Sequence, residues 1–246
     1  MNAEGGAFAG RAYVLARRER GESDLSVALL LDDGSVRWTT ARAAARSTRR
    51  FGASLSAFTR YRVRFARSGA GGRNERIDEA TVDRAFAGVL TDLRRMGAAG
   101  VLSAVARELG GEVADDDGLF VLYDSALERL DDGDASVAGR EIVAFVVATF
   151  SHAGHEIVRE RCVRCGREAA LERSVTFSSE ASGVLCARCG GGPFVVRSAE
   201  RAALEAVIDG DASAFAPWML RWTAYMAEPN ARRGAECITS AVAYWK

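Results

Sequence analysis

Two short cysteine pairs constrain this chain more than any other feature. Cys162-Val163-Arg164-Cys165-Gly166 is followed by Cys186-Ala187-Arg188-Cys189-Gly190, with 20 residues between Cys165 and Cys186. That spacing suits a site in which four thiolates meet one tetrahedral ion, each Cys-x-x-Cys turn presenting two of them. The glycine after each second cysteine allows the sharp backbone reversal such a turn needs. One structural zinc is therefore expected on Cys162, Cys165, Cys186 and Cys189, and a closed sulfur shell leaves no position for a reactive water. An iron–sulfur cluster also uses four thiolates, but the paired spacing favours zinc. A redox pair accounts for one motif and not for both. Disulfides are disfavoured because no basic, then apolar, leader opens the chain, which also makes a cytoplasmic location the expectation. The fifth cysteine, Cys237, reads as a small buried residue on a helix.

The first 80 residues carry a strand period. Leu25, Val27, Leu29 and Leu31 share one face, and Asp32-Asp33-Gly34 then supplies a hairpin turn. The returning strand sets Val36, Trp38 and Thr40 on one side and Arg37 and Thr39 on the other. Further on, Thr59, Tyr61, Val63 and Phe65 alternate with Arg60, Arg62, Arg64 and Ala66, giving one apolar and one cationic face. Residues 74–80 suit a short closing strand. About five strands with one long connection fit a small barrel of the OB type.

The period then lengthens. Val82, Ala85, Phe86, Val89, Leu90 and Leu93 follow helical spacing, Gly97 reads as the end of that helix, and a second helix runs to Leu109. Asp115-Asp116-Asp117 precedes a third helix, where carboxylates oppose the positive end of the helix dipole. Residues 142–150 are apolar on all sides, as in the central helix of a bundle. That run is about half of what a bilayer span requires. Residues 198–209 suit a short helix, and Phe215, Trp218, Met219, Trp222, Tyr225 and Met226 form an aromatic stripe that reads as core. The expected organisation is α+β: a barrel over 1–80 and a helical domain over 81–246, with the ribbon inserted at about 158–194.

Charge separates the regions. Residues 1–80 carry 15 arginines against 9 acidic side chains, residues 81–154 carry 6 against 13, and the chain as a whole is neutral. A basic first module favours a polyanion as its partner. Arg42, Arg46, Arg49 and Arg50, with Phe51, form a loop cluster, and Arg37, Arg60, Arg62 and Arg64 are expected on the polar sides of nearby strands. Single-strand binding by such a barrel combines a cationic groove with aromatic platforms. If about five phosphates are neutralised, log affinity falls with log salt at a slope near about −3.5 for a single strand.

Motifs for catalysis are not found. His152, His155 and Glu156 do not make a His-Glu-x-x-His site, and no nucleophile elbow, P-loop or dinucleotide fingerprint occurs. The expectation is a binding protein and not an enzyme. Both histidines read as surface or packing residues at a helix end.

The chain resembles the RecO family of bacterial recombination mediators. The likeness runs from Tyr13-Val14-Leu15 through Gly21-Glu22-Ser23-Asp24-Leu25, Gly34 and Arg46-Ser47-Thr48-Arg49-Arg50-Phe51-Gly52 to Leu55 and Phe58. It resumes at Cys162, Cys165, Gly166, Phe177, Gly183, Cys186 and Cys189, which resemble the zinc-binding version of the family. Trp38-Thr39-Thr40-Ala41 is an unusual form of the third strand. The resemblance implies binding to single- and double-stranded DNA and annealing of complementary strands. It also implies partnership with RecR and single-stranded-DNA-binding protein, so that RecA is loaded onto DNA. A reading of another class is a zinc-ribbon adaptor whose arginine face meets an acidic protein.

Overall fold

The computed structural model describes residues 9–44, 47, 50–51, 55–68, 74–111 and 116–245. The chain divides into two compact units, Met1–Ala87 with Gly110–Val121, and Gly88–Leu109 with Leu122–Lys246. The expected boundary at residue 80 falls inside a strand.

In the first unit five strands close a barrel: β1 (Ala9–Arg20), β2 (Asp24–Leu31), β3 (Val36–Ala41), β4 (Thr59–Ser68) and β5 (Asn74–Ala85). Their order is β1-β2-β3-β5-β4, with β4 returning to pair with β1 and β3 running parallel to β5. This is the OB-type barrel expected from the strand period. Alternation explains the interior. Leu25, Val27, Leu29 and Leu31 from β2 join Tyr61, Val63 and Phe65 from β4, and all are buried in one cluster. Leu55 and Phe51 enter the same cluster from the β3–β4 connection. Phe51 is therefore core, fixed by the N–H of Ala80 donating to the carbonyl of Arg50 at 2.8 Å.

Register decides the faces of β3. Val27 lies opposite Thr39 and Leu29 opposite Arg37, so Arg37, Thr39 and Ala41 share the side of the barrel core. Arg37 is thus not on an outer polar face. It sits at the strand's start, where its guanidinium donates to Ser35 Oγ at 3.1 Å and Asp33 Oδ2 at 3.3 Å. Trp38 points outward and is 46% exposed.

The outer side of β1 also carries a buried ring. Tyr13 meets Phe86 at 6.0 Å and Phe120 at 5.4 Å between centroids, and the N–H of Val36 donates to the carbonyl of Gly111 at 2.8 Å. Segment Gly110–Val121 thereby forms one wall of the barrel unit.

Among the described residues, six α-helices follow the barrel: α1 (Leu93–Leu109), α2 (Gly118–Asp132), α3 (Val137–His152), α4 (Ser198–Asp209), α5 (Trp218–Ala227) and α6 (Arg232–Ala241). None is long and apolar enough to cross a membrane. As its composition predicts, α3 is the centre: Ile142, Val143, Phe145, Val146 and Phe150 are buried, and the helix packs on α1, α4 and α5. In the aromatic stripe Met219, Trp222 and Met226 are core, as expected.

Three further sequence expectations fail. No helix begins near residue 82: β5 continues to Ala85, because Tyr61 and Arg62 of β4 still pair with Val82 and Thr81. Gly97 does not end a helix but lies within the single helix α1, where no neighbouring atom crowds it. Cys237 is exposed, since the buried stripe of α6 is Gly234, Ala235, Ile238 and Ala241. Of the aspartate triplet, Asp115 lies outside the described residues. Asp116 Oδ1 accepts the N–H of Gly118 at 2.8 Å, a helix-start role.

Candidate metal centre and nucleic-acid interface

A small ribbon separates α3 from α4. Its strands are β6 (Val175–Ser178), β7 (Gly183–Leu185) and β8 (Phe194–Val196), in the order β7-β6-β8. Two turns project sulfur from it. In the first, the N–H of Gly166 donates to the carbonyl of Cys162 at 2.9 Å with Gly166 at φ 69°. In the second, Cys189 N–H donates to the carbonyl of Cys186 at 2.9 Å, with Gly190 at φ 100°. Both glycines occupy the left-handed region that side chains resist, as the sequence required. Arg164 ties the two turns together by donating to the carbonyl of Cys189 at 2.8 Å.

The four Sγ atoms of Cys162, Cys165, Cys186 and Cys189 lie within 4.8 Å of one another, and Cys165 Sγ is 3.8 Å from Cys186 Sγ. A tetrahedral ion with metal–sulfur bonds of about 2.3 Å has sulfur–sulfur edges of about 3.8 Å. The donor set and its spacing therefore fit a metal ion. Polar hydrogens prepare the site for negative sulfur. The backbone N–H of Cys186 points at Cys162 Sγ at 3.4 Å and is the main cause that lowers this thiol to about 6. Cys189 is pushed up to about 12, chiefly by hydrogen bonding with Cys165 and Cys186. Four crowded sulfurs cannot all ionise unless a cation shares them.

The ribbon is anchored by residues that the sequence reading did not single out for this role. Phe177 of β6 meets Trp222 of α5 edge-on at 5.4 Å, and Phe194 of β8 stacks on Tyr225 at 5.4 Å. Arg201 of α4 is buried and donates to the carbonyls of Ala169 at 2.8 Å, Arg159 at 3.1 Å and Arg173 at 3.3 Å, and to that of Ala170. One guanidinium thus satisfies four carbonyls of the loop beneath the cysteines. An arginine at one position of an amphipathic helix gives no sequence signal for such a role.

His152 ends α3 and is exposed. His155 is exposed and meets Phe150 edge-on at 6.4 Å. Both therefore take the surface and packing roles expected of them.

The arginines divide into two groups. Arg60, Arg62 and Arg64 of β4 are held by carboxylates of β5. Arg60 donates to Asp83 Oδ2 at 2.7 Å and is only 15% exposed, while Arg62 donates to Oδ1 of the same group at 2.9 Å and is 76% exposed. Arg64, 52% exposed, lies 3.2 Å from Asp78 and 2.9 Å from Glu79. The second group surrounds β3. Arg18 sits over the Trp38 ring at 4.9 Å, and Arg20 donates to Thr40 Oγ1 at 3.4 Å. Arg42 is exposed, and its carbonyl accepts from Arg50, whose guanidinium lies over Phe51 at 5.1 Å. Among the described residues no carboxylate reaches Arg18, Arg20, Arg42 or Arg50 within ion-pair distance. Arg46 and Arg49 lie outside the described residues.

The family profile described as "Recombination protein O C terminal" matches residues 90–223, which include all four cysteines. The chain is 32% identical over 230 residues to "DNA repair protein RecO" of Anaeromyxobacter sp. (strain K), covering 92% of this chain and 87% of that one. It is 36% identical over 183 residues to the protein of the same name from Geobacter metallireducens, covering 73% and 71% of the two. The chain belongs to the RecO family. A further relative, from Myxococcus xanthus, is 30% identical over 179 residues, 73% of this chain and 71% of that one. Membership of the RecO family accords with the order found here, a five-stranded barrel followed by helices with a cysteine ribbon between α3 and α4.

Proposed function

We propose that this protein is a DNA repair and recombination mediator that binds single- and double-stranded DNA and anneals complementary strands. It would help RecR load RecA onto DNA coated by single-stranded-DNA-binding protein. The observation that carries the reading is a closed OB-type barrel on which, among the described residues, no acid compensates Arg18, Arg20, Arg42 or Arg50, in a chain of the RecO family. Its physical work is to neutralise the repulsion between two phosphate backbones so that pairing proceeds. The contact set is Arg42, Arg46, Arg49 and Arg50 on the β3–β4 connection, flanked by Arg62 and Arg64, while Arg37 takes the core side of β3. Arg62 and Arg64 each share carboxylates and keep N–H groups open to solvent, whereas Arg60 acts as a strut. The protein acts without catalysis, in the cytoplasm, beside the nucleoid. One zinc ion on Cys162, Cys165, Cys186 and Cys189 supplies structural order.

An annealing assay with complementary oligonucleotides coated by single-stranded-DNA-binding protein tests the proposal, and acceleration over the spontaneous rate is expected. Reversing Arg46, Arg49 and Arg50 to glutamate should abolish that acceleration and weaken DNA binding. Unchanged DNA affinity in that variant would favour the adaptor reading, in which the arginine face meets an acidic protein.

A further inference from the structure

We propose that Trp38 is a base-stacking platform for single-stranded nucleic acid, with Arg18 as a guanidinium that changes places with the incoming base. The proposal rests on the DNA-binding reading and adds to it a residue, a strand specificity and a mode of contact.

Of the four tryptophans in the chain, Trp38 alone is exposed. An indole that is 46% exposed on a strand whose other face fills the core is not explained by packing. Its surroundings suit a flat ring. Across the sheet the row through Trp38 continues to Ala28 and then Ala16, which carry only methyl groups. The next row is Arg18, Ser26 and Thr40, a guanidinium and two hydroxyls. Arg20 reaches Thr40 from β1, and Arg42 follows directly after β3. The platform therefore lies between cations that no carboxylate among the described residues neutralises. An anionic chain with exposed aromatic bases is the ligand that matches both features. This is also the strand 2–3 face that OB barrels use for oligonucleotides.

Arg18 already covers the indole, at 4.9 Å from its centroid. A cation–π contact at an exposed site is weaker than the stacking of a base on an aromatic ring. A base therefore displaces the guanidinium, which moves to the phosphate that the base brings with it. In a duplex the bases are already stacked on one another and cannot reach the indole. The platform should accordingly act on single strands only.

The test uses the full-length protein at one fixed salt concentration, with oligo(dT), the same length of abasic strand, and duplex DNA. Oligo(dT) should quench the tryptophan fluorescence of the native protein, and the quench should vanish in Trp38→Phe. Trp38→Ala should bind oligo(dT) about tenfold more weakly, with Trp38→Phe between it and the native protein. Abasic strand and duplex should bind all three alike. Equal binding of oligo(dT) by native protein and Trp38→Ala would overturn the platform while leaving DNA binding intact. The same holds if the loss in Trp38→Ala is as large for the abasic strand, since the contact would then be with the backbone. If the native protein binds none of the three probes, the DNA-binding reading itself fails and the platform goes with it.

Discussion

At the scale of single residues, the sulfurs of Cys162, Cys165, Cys186 and Cys189 lie within 4.8 Å of one another and repel as thiolates unless a cation sits among them. The four cysteines and the glycines after them are read from two five-residue stretches, because a Cys-x-x-Cys turn is built from its own backbone. Shared equally, the binding energy of a four-ligand site places about a quarter on each thiolate. With about 10–16 kcal/mol typical of a four-ligand structural zinc, Cys186→Ser should weaken metal binding by a hundredfold or more. Metal analysis after gel filtration against a mild chelator should find about one equivalent in the native protein and almost none in the variant. The arginines of β4 were equally visible, but their partners were not, because Asp78, Glu79 and Asp83 become neighbours only through the β4–β5 register. Asp83 has a consequence for pH. Hydrogen bonding from Arg60 holds its carboxyl below the ordinary value of 3.8, so the folded state binds fewer protons there than the unfolded state. The stability this gives is present above about pH 4 and is lost as pH falls through the depressed value. Asp83→Asn should flatten that acid limb in urea titrations run between pH 3 and pH 6. It also releases the exposed Arg62, and one further phosphate contact corresponds to about fivefold tighter single-strand binding at 0.1 M salt. A flattened acid limb with unchanged affinity would remove the β4 face from the DNA interface.

At the scale of elements, periodicity succeeded where one face is apolar and failed where both are mixed. The alternation in β2 and β4 and the apolar run in α3 each found their place, and α4 spans Ser198–Asp209 as its pattern indicated. β3 was harder to orient. Its side with Val36 and Trp38 is the more apolar, yet pairing with β2 turns Thr39 and Ala41 inward. Residues 82–86 misled in another way. Val82, Ala85 and Phe86 happen to fall at helical spacing, but Val82 is exposed on β5 and Phe86 covers Tyr13. Glycines inside helices were ambiguous for a similar reason. Gly97 has open space around it, whereas a Cβ on Gly139 of α3 would enter the ring of Phe215. Alanine is the better helix former by about 1 kcal/mol, so glycine at 139 is kept by packing and not by propensity. Gly139→Ala should therefore destabilise, by about 1–3 kcal/mol for an overpacked core, with a fall of several degrees in Tm. Adding Phe215→Leu should recover part of the loss. A Tm at or above the native value in the single variant would show that the ring swings away freely.

At the scale of the whole molecule, the sequence indicated a barrel followed by helices but not that the barrel unit is discontinuous. Segment Gly110–Val121 belongs with the barrel although α1 intervenes in the chain, and no local pattern announces such a return. The reason is physical. Phe120 and Phe86 together bury Tyr13, Arg11 lies over the Phe120 ring at 5.5 Å, and the carbonyl of Gly111 accepts the N–H of Val36 at 2.8 Å. Val36 opens β3, so this hydrogen bond sits two residues from Trp38. Truncating a buried phenylalanine to alanine costs about 3–5 kcal/mol. If Phe120 is a wall of the barrel, that cost falls on the barrel. Phe120→Ala should then shift the urea midpoint reported by the exposed Trp38, measured in a background where the other tryptophans are replaced by phenylalanine. The far-ultraviolet helical signal should shift less, since the helices draw their core from α3 and its neighbours. Equal shifts of both signals would mean that the chain unfolds in one step. A shift of the helical signal alone would show that Phe120 serves the helices, and the barrel would then have to close without the segment that the geometry assigns to it.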